Sequence, residues 1–206
     1  MKLTSHLLAG AKAAYHFLRR EERASQIVEF AVALPLLIVF VVGIFDFSGA
    51  YTLKQKLTNV AGDAAHAAAA DPSGDLESPS APLPVSVSDA FQLVDAYLLT
   101  NNLNDCTPTL SGTSGLTWTF TGTTGCPTGG LTIVINRGYY FPAVGATTTA
   151  VNCTSPTLGG QTAVIGTCVS VTYAYQWKFG QAANLLGRAI ALPTTITASA
   201  VAMNEN

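Results

Sequence analysis

The chain has 206 residues, a formal net charge of −2 and a charged fraction of 11%, a length that fits one ordinary domain plus a membrane segment. The near-neutral balance leaves no electrostatic footprint for nucleic acid. Soluble domains carry roughly 25% charged residues, so the deficit points to an apolar segment somewhere in the chain.

Residues 1–24 read as a basic leader with a modest helical pattern from Ala11 to Arg23. Lys2, Lys12, Arg19, Arg20 and Arg23 all precede an apolar run, Ile27 to Phe47, whose only charges are Glu29 at its entrance and Asp46 near its exit. About 20 helical residues at about 1.5 Å each cover the roughly 30 Å of a hydrocarbon core, so the run is long enough to span. After it, only Lys54 and Lys56 follow closely. The basic bias therefore predicts a cytoplasmic N-terminus in the cytoplasmic membrane, with the C-terminal bulk in the periplasm or outside the cell. Pro35 inside the run predicts a helix kink, which membrane helices tolerate better than soluble ones.

The helical pattern continues beyond Asp46. Phe47, Ala50, Leu53, Leu57, Val60, Ala64 and Ala67 recur at three- and four-residue spacing. One helix is therefore predicted over 25–70, its outer half an amphipathic, alanine-rich stripe. Two surfaces suit such a stripe: the chain's own β-rich part, or neighbouring copies. Asp71-Pro72-Ser73-Gly74 ends the helix, and Ser78 to Pro84 is a proline-rich linker. Ser88, with Gln92 nearby, opens a short helix from Asp89 to Leu99 with Phe91, Val94, Leu98 and Leu99 on its buried face. Residues 71–105 thus form a linker with a short helix, and 106–206 a β-rich domain.

In that domain Leu116 to Thr121, Leu131 to Arg137, Cys168 to Phe179 and Pro193 to Met203 read as strands between Gly, Thr and Pro turns. Val169, Val171, Tyr173 and Tyr175 alternate with polar or small residues, as in a sheet with one covered face. Cys106, Cys126, Cys153 and Cys168 all lie beyond the membrane run. An even count there fits two disulfides in an oxidising compartment; of three possible connectivities the expected one joins sequence neighbours, Cys106 with Cys126 and Cys153 with Cys168. The fold class is α+β: a long N-terminal helix packed on a small antiparallel β-rich domain.

From Cys106 to Asn204 there is no Asp, Glu or His, which removes carboxylate pairs, Ser-His-Asp arrangements and His-based metal sites from the β-domain. Lys178 beside Trp177 reads as a solvated strand residue. The acids at Asp71, Asp75, Glu77, Asp89, Asp95 and Asp105 have no calcium-loop spacing, and His66 is a partly exposed helix residue. Asn152-Cys153-Thr154 matches a glycosylation sequon only formally. No enzyme, cofactor or metal centre is expected.

The most specific feature is Arg23-Ala24-Ser25-Gln26-Ile27-Val28-Glu29-Phe30-Ala31-Val32-Ala33-Leu34-Pro35. An acid inside a membrane helix carries a cost, about 2.5 to 3.5 kcal/mol near the centre and less at the interface. The string resembles the processing junction of type IV prepilins, and more closely that of the TadE-like proteins of tight-adherence (Flp-type, type IVb) pilus systems. Tyr51 to Ala70 resembles the helix that follows the membrane run in that family. Val169-Ser170-Val171-Thr172-Tyr173, Leu192-Pro193 and Ala198 to Met203 resemble its closing β segment.

The resemblance implies that a prepilin peptidase cuts between Ala24 and Ser25, leaving Glu29 as the fifth mature residue and Phe30 as the sixth. The departure is Ala24, where glycine is usual. It further implies a minor pilin or pseudopilin whose partners are other pilin subunits and the pilus assembly platform. Three rivals stand beside it: an uncleaved, membrane-anchored envelope binding or adhesion module; a secreted protein whose apolar run is a signal peptide, for which the run is long; and, last, an enzyme.

Overall fold

A computed structural model describes residues 3–72, 74, 76, 83–142, 152–155, 163–178 and 192–205, with backbone alone at 3–24, 141–142 and 163. Most of the expected linker, together with Asp75, Glu77 and Phe179, lies outside these residues. The described elements are α1 (Leu3–Ala70), α2 (Val85–Thr100), β1 (Thr109–Ser114), β2 (Thr117–Gly122), β3 (Leu131–Pro142), β4 (Ala163–Ala174) and β5 (Thr195–Met203). The chain divides into two compact units, Met1–Asp46 with Lys178–Ile190, and Phe47–Trp177 with Ala191–Asn206.

In the first unit, α1 runs back to Leu3, well before the start expected near Ser25. The leader residues from Ala11 to Arg23 include no glycine or proline, and their Ala, Leu, Arg and Glu are strong helix formers, so nothing there stops the helix. Pro35 lies inside α1, which remains one element through it.

The second unit is a five-stranded antiparallel sheet in the order β1-β2-β3-β4-β5, one face covered by the outer half of α1 and by α2. Trp118 and Phe120 of β2, Leu131, Ile133 and Ile135 of β3, Val169, Val171 and Tyr173 of β4, and Ala198 and Ala202 of β5 are buried on that face. The register aligns them in rows: Trp118 opposite Ile135, Ile135 opposite Val169, and Val169 opposite Ala200. From α1 come Leu53, Leu57, Val60, Ala61, Ala64, Ala65, Ala68 and Ala69. The stripe thus packs in one core with the chain's own sheet. Two stripe positions differ from expectation: Ala67 is only half-buried, and Phe47 is 52% exposed.

The helix α2 begins at Val85, four residues before its expected start, directly after Pro84, and buries Ser86, Val87, Ala90, Val94 and Leu98. Ser88 and Gln92 are not a cap. Gln92 Nε2 donates to Ser88 Oγ at 3.0 Å, one turn apart within the helix. Phe91 stacks on Phe120 with centroids 4.4 Å apart; Leu99, expected to be buried, is 55% exposed.

The sheet also differs from expectation at its ends. β1 was not foreseen, because TLSGTS is exposed at every position and has no apolar alternation. β4 starts at Ala163 and stops at Ala174, so Tyr175, Trp177 and the exposed Lys178 follow the strand instead of extending it. On the opposite face of the sheet, Tyr139 with Cys153 and Cys168 forms a small second cluster. Disulfides join Cys106 to Cys126 and Cys153 to Cys168, each with Cα atoms 5.4 Å apart. Closing loops of such length stabilises a small domain by about 3 kcal/mol each in the chain-entropy account.

The outer end of α1 is fixed by a buried cation. Leu131, Ile133, Ile135 and Arg137 share one parity on β3, so the strand delivers Arg137 to the covered face. There the side chain is 1% exposed. Its guanidinium donates to the carbonyl of Ala68, to that of Asp71 at 3.1 Å, to Thr167 Oγ1 at 2.7 Å and to Asn204 Oδ1 at 3.3 Å. The Glu205 N–H donates to the Ala69 carbonyl at 3.4 Å. The last carbonyls of a helix lack partners inside it, and the C-terminal end of the dipole favours a cation. Arg137 meets both needs.

A β-bulge aims it: β3 pairs Asn136 with Cys168 and then Tyr139 with Gly166, so Arg137 and Gly138 together face Thr167. At the second bulge position a Cβ on residue 138 would come within 2.9 Å of Leu116 Cδ1, so a larger residue there requires the Leu116 side chain to shift.

Replacing Arg137 by leucine leaves those helix-end carbonyls buried without donors. The expected loss is about 3 kcal/mol, read as a lower urea midpoint with unchanged slope for the detergent-solubilised chain. Arg137→Lys, which keeps the charge but not the fork, falls between the two. A loss within experimental error for Arg137→Leu would show that the helix end is held by other contacts.

Candidate membrane helix and processing junction

The junction residues lie on one continuous helix. Ala24 and Ser25 are both helical. Ser25 and Glu29 are brought together one turn apart, with Ser25 Oγ 3.5 Å from Glu29 Oε1. The backbone amide of Ser25 is thereby also about one turn, roughly 6 Å of rise, from the Glu29 position. Phe30 is 64% exposed and joins no cluster of described residues.

Along the apolar run, Ile27, Val32, Leu37, Phe40, Ile44 and Phe45 point in all directions around the helix and are each at least 60% exposed. A helix this long and apolar is able to cross a membrane. Within Ser25–Ala70 an 18-residue stretch has mean hydropathy 2.8 with only 6% of it buried. A buried core helix of the same composition would be covered by its own protein; this one is not. Asp46, at the exit, is itself buried.

Immediately past the run, within the second unit, the helix meets aromatic residues from the far end of β4. Phe47 lies 5.1 Å from Trp177, and Trp177 lies 4.9 Å edge-on from Tyr175. The Tyr175 hydroxyl sits so close to the helix that a Cβ on residue 49 would come within 2.9 Å of it, so Gly49 makes room. Two turns further, Lys56 Nζ donates to the carbonyl of Asn101 at 3.2 Å and places a cation at the C-terminal end of α2.

That end of α2 is closed by a Schellman motif. Asn102 takes the left-handed conformation with φ 56°, Leu103 N–H donates to the Leu98 carbonyl at 2.9 Å, and Asn102 N–H to that of Leu99 at 3.1 Å. The reversal carries Asp105 back beside Asp95. Burial and then the neighbouring Asp105 carboxylate push the Asp95 carboxyl above the usual range. Burial likewise raises Tyr173, which stays a phenol and donates to the Asn104 carbonyl at 2.9 Å.

Sequence reasoning read the acids as scattered and missed this pair, which depends on the turn at Asn102. It also missed Arg137 and the ring cluster at Phe47. The parity of Arg137 with Leu131, Ile133 and Ile135 was the available signal for the first; no local signal joins Phe47 to Trp177. Among the described residues no three His, Cys, Asp or Glu side chains gather into a metal-binding group.

Residues 24–66 match the TadE-like protein family. The matched stretch opens at the junction and closes inside the alanine stripe. No curated protein and no solved structure matches the chain.

Because the folded state favours the protonated form of Asp95, ionising it costs stability. That cost is absent below the ordinary carboxylate range and grows as pH rises through the elevated pKa. Asp95→Asn is therefore expected to raise the thermal midpoint at pH 7.5 and to leave it nearly unchanged at pH 3.5. An equal effect at both would show that the folded state does not raise the Asp95 pKa.

Proposed function

We propose that this chain is a minor pilin or pseudopilin of a tight-adherence pilus system, acting through assembly and not catalysis. The observation that carries the reading is the conjunction of three features on one helix: a basic leader, Glu29 one turn after the Ala24-Ser25 bond, and an uncovered apolar run from Ile27 to Phe47. The match to the TadE-like family begins at the same junction.

In this account the leader stays in the cytoplasm and a prepilin peptidase removes it. Cleavage gives Ser25 a protonated amine in a low-dielectric surround. The Glu29 carboxylate stabilises that amine, either on the same helix or on the neighbouring subunit's, and so sets the register of one subunit against the next. Phe30 lies beside Glu29 on the helix surface and is open to such a neighbour. The β-domain, tied by its disulfides and locked onto the helix end by Arg137, is displayed on the oxidising side.

A second reading, an uncleaved envelope module, is favoured by one residue: Ala24 stands where the processed family usually has glycine. The two readings separate at the mature N-terminus. Coexpression with a prepilin peptidase is expected to give a membrane-bound product starting at Ser25, and Glu29→Ala to be cut but to lose association with partner subunits by about a hundredfold, the equivalent of nearly 3 kcal/mol for an orphaned buried charge. A product that still starts at Met1 selects the uncleaved module.

A further inference from the structure

The aromatic cluster past the apolar run belongs to neither of the two buried cores as a whole. Tyr175 borders the larger core, but Trp177 and Phe47 stand outside both. Phe47 is 52% exposed, and Tyr51, one turn further on the same helix face, is 65% exposed. Open aromatic surface of this kind is costly in water. Each of the two Trp and Tyr rings from beyond β4 has a polar handle already placed: the Trp177 indole N–H donates to the carbonyl of Pro193, and the Tyr175 hydroxyl sits against Gly49.

We propose that Phe47, Tyr51, Tyr175 and Trp177 form an interfacial anchor, seated in the phospholipid headgroup layer of the leaflet at the Phe47 end of the span. This deepens the preceding reading, since it rests on Ile27 to Phe47 crossing the membrane. Phe47 is the last residue of that run, so it lies at the hydrocarbon boundary. The headgroup layer adds about 5–8 Å on each side of a roughly 30 Å core, and the four residues from Phe47 to Tyr51 rise about 6 Å. The two helix rings therefore bracket the layer. Trp177 lies tilted against Phe47 with centroids 5.1 Å apart and so sits at a similar depth. Amphipathic rings favour this zone over both water and hydrocarbon. The sheet itself thus contributes two of the four anchoring rings, through the segment that leaves β4, and the membrane holds the β-domain at a fixed height.

The test uses the full chain in phosphatidylcholine–phosphatidylglycerol liposomes. A carbonate wash comes first: protein that washes off has no spanning helix, which overturns the underlying reading and not the depth assignment. In washed vesicles Trp118→Phe leaves Trp177 as the only tryptophan, since the chain has two. Its fluorescence is expected to be quenched severalfold more strongly by nitroxide lipids labelled near the headgroup than by those labelled at the chain terminus. If Trp118→Phe folds poorly, 5-fluorotryptophan in the unmodified sequence reports the same depth from the Trp177 ¹⁹F signal. Equal quenching by the two probes, stronger quenching by the deep one, or none by either would overturn the anchor. So would protection of Trp177 that appears only at high protein-to-lipid ratio, which would assign the cluster to a second copy of the chain.

Discussion

The contact on which the second unit depends is the Arg137 guanidinium at the last turn of α1. A helix ending against a sheet brings carbonyls into a setting where water cannot reach them, and each needs a donor. Arg137 supplies donors to Ala68 and Asp71, and Thr167 and Asn204 hold it in position. The alanine stripe serves the same contact: Ala61, Ala64, Ala65, Ala68 and Ala69 are buried in the core shared with β3 and β4, and their small side chains leave the Ala68 carbonyl within reach of the guanidinium. Bulkier residues there would lift the helix and strand the cation.

Around this lock the domain is stabilised by many modest contributions. The rows Trp118–Ile135–Val169 and Phe120–Ile133–Val171 give the sheet its covered face, and each fully buried aliphatic side chain contributes about 1.5–3 kcal/mol. Two helix C-termini are each met by a cation from another element, α1 by Arg137 and α2 by Lys56. Two disulfides then close the segments where the chain adopts left-handed conformations at Cys106, Thr107, Asn152 and Cys153, conformations that cost free energy unless the surroundings hold them. A small β-domain with a modest core needs such staples.

Much of this was legible from residues alone. Hydrophobic period located the apolar run, the stripe and four of the five strands, because those segments repeat with their backbone geometry. Cysteine spacing pointed to the observed pairing. β1 was hidden because an edge strand of Thr, Ser and Gly has no face to bury. The start of α2 was misplaced because Ser88 and Gln92 resemble a cap but meet as an ordinary i,i+4 pair, while Pro84 provides the true boundary. Asp95 with Asp105, and Phe47 with Trp177, depend on tertiary approach, through a turn at Asn102 in one case and a strand exit at Ala174 in the other. The proposed junction at Ala24 to Glu29 involves only near-neighbours on one helix, so reading it required no tertiary approach.

The helix α1 thus carries an exposed apolar run from Ile27 to Phe47, and its residues from Leu53 to Ala69 pack on a cross-linked sheet; residues 24–66 match the TadE-like family. In the proposed account the apolar run crosses the membrane once and the β-domain is displayed outside. The most direct test of that account is protease protection on spheroplasts expressing the full chain with an N-terminal tag and no prepilin peptidase. Added protease is expected to digest the β-domain while leaving a tagged fragment containing the leader and apolar run. Digestion of the tag, or full protection of the β-domain, would contradict a single crossing with the N-terminus inside.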